Sequence, residues 1–301
     1  MRDNRNNGHK NKKGNAGARQ IREGGRPRCP YPEDRRAIPE NRFDNAPVSD
    51  TEASGLVVGR NAVRELLKSG RAIDKLLVQR GEREGSITVL VSETIARGVP
   101  VIECEKQKLD ELSLGAPHQG MIAMAAEKEY VTVDDILAIA EERGEKPLIV
   151  ISDGITDPHN LGALIRCAEG AGAHGLIIPK RRAVGLTPVV SKASAGAIEH
   201  LAVAKVSNIA QTVAELQEKG VWVYAAEAGG QAYYDTDFRG PCALVFGSEG
   251  DGVSRIVKEK ADMITSIPMY GQVNSLNVST AAAVILCEAA KQHRLAMLAE
   301  K

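Results

Sequence analysis

Between residues 148 and 292, short and almost wholly apolar runs alternate with helical patterns, which points to a parallel sheet covered by helices on both faces. The runs 148–151, 176–178, 200–205, 221–225, 243–246 and 263–267 predict strands. Helical spacing over 160–170, 189–197, 209–219, 253–259 and 279–292 predicts the helices that separate and close them. A sheet of this kind binds ligands at the carboxyl ends of its strands, and a nucleotide-derived one is expected here.

A smaller unit precedes it. The run 56–58, Gly59 and the spaced Ala62, Val63, Leu66 and Leu67 predict strand, turn and helix. Strands over 75–78 and 99–102, a helix over 87–97, the segment 109–113 and the apolar run after His118-Gln119-Gly120 complete a compact αβ module. A helix is expected over 131–146, with Asp134 and Asp135 at its start and Arg143-Gly144 near its end. The 301 residues therefore divide into a tail (1–54), a module (55–128), a linker helix (129–146) and an α/β domain (147–301).

The chain has 39 basic and 39 acidic residues, yet residues 1–28 hold nine Lys/Arg against only Asp3 and Glu23. Everything after them is net acidic. A basic, Asn/Gly-rich tail buries too little apolar surface to offset its ordering entropy, so disorder is expected through Ser54. Such a tail can hold a polyanion or simply solubilise the chain. No apolar stretch approaches the ~18 residues that span a bilayer, and the first residues lack the apolar core of a secretory signal. No membrane partner and a cytoplasmic location are the expectations. Cys29, Cys104, Cys167, Cys242 and Cys287 form no CxxC pair, which suits reduced thiols.

One cofactor motif proves to be false. The run from Gly170 to Gly175 matches G-x-G-x-x-G, but it closes a helix and leads into a strand. A dinucleotide fingerprint needs the reverse order, so that a helix N-terminus faces the pyrophosphate. The run reads instead as a helix end and turn.

Three other segments carry polar chemistry. Residues 152–166 set Asn160 and Arg166 around a strand-to-helix turn, where both are expected to line one mouth. Residues 244–252 place Glu249 among glycines, directly after a buried strand. Residues 266–279 run from a strand end through Asn274, Ser275, Leu276 and Asn277 into the final helix. Each admits a plainer reading: Asn160 and Asn277 as helix caps, Arg166 as a surface residue, Glu249 at a helix N-terminus. His118, His159, His174 and His200 show no ligand spacing, and no metal is expected. Tyr233-Tyr234 in a loop suits either base stacking or exposed packing.

In this order and spacing, N-x5-R, F-G-S-E-G and I-P-M followed by N-S-L-N-V-S resemble the SpoU (TrmH) branch of the SPOUT RNA methyltransferases over residues 148–291. The V-V-G-R-N-A-V-R-E-L-L run from Val57 and the H-Q-G at His118 resemble the L30e-like RNA-binding module of the RlmB subgroup. The resemblance implies transfer of a methyl group from S-adenosylmethionine to the ribose 2′-hydroxyl of a guanosine in 23S ribosomal RNA of the large subunit. It further implies a deep trefoil knot, otherwise close to forbidden, and a homodimer with the site near the subunit interface. By the same resemblance Gly247, Ile267 and Leu276 hold the cofactor's adenine, with Ser275 and Glu227 in the same cofactor-binding set. The catalytic set is Arg166, Asn160, Glu249, Ser275 and Asn277, with the counterpart of Arg166 as general base.

A guanidinium with a pKa above 12 does not readily lose a proton, so binding phosphate or polarising the hydroxyl is the other role open to Arg166. Competing readings are a transfer RNA substrate, a non-catalytic RNA-binding protein and a nicotinamide-dependent oxidoreductase. The last requires a fingerprint after a strand, and none is visible.

Overall fold

The computed structural model describes residues 55–81, 85–113 and 116–299; the expectations for the tail lie outside them. The first elements are β1 (Leu56–Val58), α1 (Arg60–Ser69), β2 (Ile73–Gln79), α2 (Ser86–Ala96), β3 (Val101–Cys104), α3 (Lys106–Leu112) and β4 (Met121–Ala125). They form a four-stranded sheet in the order β1-β4-β2-β3, in which β4 runs antiparallel to both neighbours and β2 parallel to β3. On α1, Ala62, Val63, Leu66 and Leu67 are the buried positions. The spacing seen in the sequence is the helix face that packs on the sheet.

After α4 (Val133–Glu142) come β5 (Leu148–Asp153), α5 (Pro158–Gly170), β6 (Gly175–Pro179), α6 (Pro188–Ala193), β7 (Ala202–Val206) and α7 (Ile209–Glu218). The chain ends with β8 (Trp222–Ala232), β9 (Cys242–Gly247), α8 (Arg255–Lys260), β10 (Met263–Ser266) and α9 (Val278–Ala299). All pairings in the second sheet are parallel, in the order β10-β8-β9-β5-β6-β7. Its strands are apolar on both faces, and alternate residues enter different cores. Leu148 and Val150 of β5, with Leu244 and Phe246 of β9, face α5 and α9. Ile149, Ile151, Ala243 and Val245 face α4 and α7. Each fully buried Val, Leu, Ile or Phe contributes roughly 1.5–3 kcal/mol.

Capping fixes where the helices begin. Thr132 and Asp135 form a reciprocal capping box on α4, and Asp157 caps α5 ahead of Pro158. Gly162 lets α5 and α6 approach closely, since a Cβ there would fall 2.4 Å from that of Ala193.

The elements differ from expectation at several places: the helix expected over 131–146 is confined to Val133–Glu142, and α3 over Lys106–Leu112 forms a helix where none is expected. β3 lies over Val101–Cys104 rather than 99–102, because Pro100 has no N–H to give a ladder. The helix expected over 189–197 stops at Ala193, as Ala195 and Gly196 turn left-handed (φ 52° and 95°) before a short 3-10 turn over Ala197–Glu199. β8 runs on to Ala232 instead of ending at 225, and α9 reaches Ala299 rather than 292.

The 3-10 turn meets the first sheet's layer. Arg71 and Glu199 pair at 3.4 Å, His200 Nε2 lies 2.9 Å from Glu65 Oε2, and Lys192 Nζ donates to Pro117 O at 2.6 Å. Among the described residues no helix is long and apolar enough to cross a membrane. The four cysteines among them are unpaired, and burial pushes the Cys242 thiol up to about 12.

Candidate active site

The loops after β5, β9 and β10 meet at the carboxyl edge of the second sheet, beside the point where strand order reverses around β5. Asn160 sits in the first turn of α5, directed by the Asp157 cap, whose side chain accepts from His159 N–H at 2.9 Å. Its side-chain amide donates to Glu249 Oε1 at 2.6 Å. The amide of Asn277 donates to that same carboxylate oxygen at 2.7 Å and to Asn160 Oδ1 at 2.9 Å. Asn277 Oδ1 meanwhile accepts from Ser279 N–H at 2.9 Å and from the Ser279 hydroxyl at 2.6 Å. Capping and clustering are thus compatible: one amide group starts α9 and also reaches across to two other segments.

Glu249 is held by a tight loop. Ser248 and Gly252 exchange backbone hydrogen bonds of 3.1 and 3.0 Å, and Asp251 N–H donates to Ser248 Oγ at 3.3 Å. Gly252 has φ 66°, a left-handed backbone that glycine adopts without strain, and a Cβ on it would lie 2.5 Å from the Glu227 carboxylate and displace it. Glu227 Oε2 accepts from Val253 N–H at 3.1 Å and lies 3.4 Å from Lys258 Nζ.

Glu227 reaches this place through an irregularity in β8. Ile264 pairs with Ala225 but Thr265 pairs with Gln231, so residues 226–230 bulge out of the ladder with β10. The bulge helps to open a cleft of about 450 Å³, within the size range of small-molecule sites. Gly247, Ile267, Ser275, Leu276 and Glu227 all line it, together with Glu249. Phe246, Ala281 and Ile285 add apolar wall that sequence reasoning missed. The signal was available, because 281 and 285 are four residues apart on one face of the last helix.

Arg166 stands apart. Six residues along α5 from Asn160 amount to a turn of about 120° around the axis, so the two side chains leave on different faces. Asn160 is buried, whereas Arg166 is exposed and lines a separate cleft with Asn61, Arg64, Glu65, Glu169 and His200. The shared mouth expected for Asn160 and Arg166 is not formed within one chain. Two of these histidines serve the local backbone: His118 accepts from Gly120 N–H at 3.0 Å, and His174 accepts from Leu148 N–H at 3.0 Å. Among the described residues no group of His, Cys, Asp and Glu is arranged to hold a metal ion.

The cleft fits S-adenosylmethionine. Phe246, Ile267, Leu276 and Ile285 provide apolar surface for a base, and the carboxylates of Glu227, Glu249 and Asp251 suit a sulfonium charge. Residues 267–276 make no backbone-to-backbone hydrogen bond among the described residues, which leaves their amides and carbonyls for a ligand.

Comparison with known proteins agrees with this geometry. Residues 147–287 match the SpoU rRNA Methylase family, and residues 56–131 match a domain described as RNA 2′-O ribose methyltransferase substrate binding. A TrmH family tRNA/rRNA methyltransferase of Bacillus subtilis is 45% identical over 233 residues, covering 77% of this chain and 93% of the relative. One from Staphylococcus haemolyticus is 44% identical, covering 80% and 97%. Among solved structures, the SpoU methyltransferase AviRb of Streptomyces viridochromogenes, in complex with AdoMet, is similar with a TM-score of 0.65 and 27% identity, over 80% of this chain and 90% of that one. A crystal structure of an RNA 2′-O ribose methyltransferase gives 0.67 and 27%, over 82% and 91%. The chain therefore belongs to the SpoU (TrmH) family and is an S-adenosylmethionine-dependent RNA methyltransferase.

Proposed function

We propose that the enzyme methylates the ribose 2′-hydroxyl of a guanosine in 23S ribosomal RNA, in the cytoplasm and as a homodimer of knotted subunits. The observation that carries the reading is the Asn160–Glu249–Asn277 cluster at the rim of the cleft. Support for ribose comes from residues 56–131, whose matching domain is described as a 2′-O ribose methyltransferase substrate-binding unit. The names of the relatives cover transfer and ribosomal RNA alike, which keeps transfer RNA as the second reading.

When bound, S-adenosylmethionine supplies an electrophilic methyl group on a sulfonium. The chain must orient a weak nucleophile and remove its proton. Gly247, Ile267 and Leu276 hold the adenine, and Ser275 and Glu227 line the remainder. Two amides fix Glu249 through Oε1, while Oε2 has no partner among the described residues. In this reading Oε2 accepts the hydroxyl proton. Arg166 remains protonated and serves the partner protomer's site, where its guanidinium orients the hydroxyl or a neighbouring phosphate.

Mass-spectrometric mapping of 2′-O-methylation in ribosomal and transfer RNA, from cells lacking the protein, tests the substrate. One missing ribosomal guanosine mark is expected, and a missing transfer RNA mark selects the second reading. Mixing Arg166→Ala with Glu249→Gln chains tests the shared site. Each homodimer should be inactive with cofactor affinity retained, and the mixture should regain activity.

A further inference from the structure

Residues 180–186 join β6 to α6 at the carboxyl edge of the parallel sheet, and their backbone is pinned at three points. Lys180 N–H donates to Val206 O at 2.7 Å, Val184 N–H to Ile155 O at 3.1 Å, and Leu186 N–H to the Tyr130 hydroxyl at 3.1 Å. The second bond ties the segment to the β5–α5 loop that delivers Asn160. Between the first two pins the side chains of Lys180, Arg181 and Arg182 are exposed, and none forms an ion pair among the described residues. Lys205, on the adjacent edge strand β7, lies 4.9 Å over the Tyr130 ring.

Two features of this rim are costly without a ligand. Residues 55–301 carry a surplus of acidic residues, yet three cations in succession stand here unpaired, where they repel one another. Arg182 also adopts a left-handed backbone (φ 58°), a conformation unfavourable for any residue with a Cβ and concentrated at functional sites. Together they present two guanidinium forks and two ammonium groups from a fixed backbone. Phosphate is the anion whose geometry suits such forks, and the RNA substrate carries one on each side of every ribose.

We propose that Lys180, Arg181 and Arg182, with Lys205, form a phosphate-binding rim that grips the RNA backbone flanking the nucleotide in the active site. Its placement next to the reacting ribose rests on the reading of the Asn160–Glu249–Asn277 cluster given above. The grip itself does not depend on which nucleotide is methylated.

The test measures binding of a short labelled oligouridylate to the full chain across a salt series. Loss of one phosphate contact lowers the slope of log affinity against log salt by about 0.7 for single strands. Arg181→Ala/Arg182→Ala should therefore bind at least tenfold more weakly at low salt, with the slope reduced by about 1.4. Arg181→Lys/Arg182→Lys should keep most of the slope. Arg182→Gly, which suits the left-handed backbone, should melt no lower than the parent and lose about half of that slope change. Cofactor affinity by calorimetry should be unaltered in all of them. An unchanged slope in the double Ala variant overturns the proposal, and so does an equal loss of cofactor affinity, which would mark a structural role. If the rim variants lose oligouridylate binding while the unaltered enzyme leaves ribose unmethylated, the rim stands and the site reading falls.

Discussion

The side-chain amide of Asn277 donates to Asn160 Oδ1 at 2.9 Å, joining residues 117 positions apart in the sequence. The same nitrogen lies 2.7 Å from Glu249 Oε1, so a third segment closes the arrangement. Two neutral amides hold one exposed carboxylate in a fixed direction at the rim of the cofactor cleft. Preorganised polar groups of this kind need no rearrangement at the moment of reaction.

Glu249→Gln keeps an oxygen that both amides can reach but replaces Oε2 with an NH2 group that cannot take up the hydroxyl proton. Methyl transfer should fall by roughly 10²-fold or more, the scale of general-base catalysis, with cofactor affinity little changed. Single-turnover transfer of labelled methyl, together with calorimetry, checks this. Normal turnover would remove Glu249 from the proton path.

Leu276→Ala removes a cleft wall that is 40% exposed, so the fold should not suffer. Cofactor affinity should drop about tenfold, as expected for losing apolar contact with one face of a base. An unchanged dissociation constant with an unchanged melting temperature would place the adenine elsewhere.

Glu199 is buried against Arg71, and burial holds its carboxyl above the ordinary carboxylate range even though Arg71 and Lys128 oppose the shift. Glu199→Ala leaves those cations without their counter-charge at the contact between the two layers. A loss of roughly 3 kcal/mol is expected, since breaking one side of a buried pair typically costs 3–5 kcal/mol. Denaturant unfolding measures it, and a loss below about 1 kcal/mol would show the pair to be well solvated.

His174 connects stability to pH. Its Nδ1 accepts from Leu148 N–H, its Nε2 lies 3.0 Å from Glu145 Oε2, and burial lowers its pKa from the ordinary 6.5, with Glu145 partly opposing. Burial lowers that of His293 as well. Below 6.5 the unfolded chain takes up protons that the folded chain refuses. The stabilisation is therefore complete above that pH and is lost as pH falls through the lowered folded value. Melting temperature should decline from about pH 7 to pH 5, and His174→Gln should flatten the decline. An identical slope in that variant would assign the acid sensitivity to other groups.

Much of the fold was legible because its determinants are local. The apolar runs at 148–151 and 243–246 are buried on both faces, and Asp134 and Asp135 stand in the first turn of α4 as the sequence placed them, although the caps themselves, Thr132 and Asp157, were not read from it. The Gly229-Gly230 pair, with Gly229 left-handed at φ 82°, is the local mark of the bulge over 226–230, but its consequence arises only where β8 must pair with β10 on one side and β9 on the other. Its product is the position of Glu227.

The sequence by itself determined the alternation of strands and helices and the residue types able to bind a cofactor, because these depend on neighbours within a helical turn or a strand. Only the tertiary structure decided that Asn160, Glu249 and Asn277 share one oxygen while Arg166 faces a different cleft. Strand order brings three distant loops to one edge, and helical geometry turns a residue six positions from Asn160 away from it.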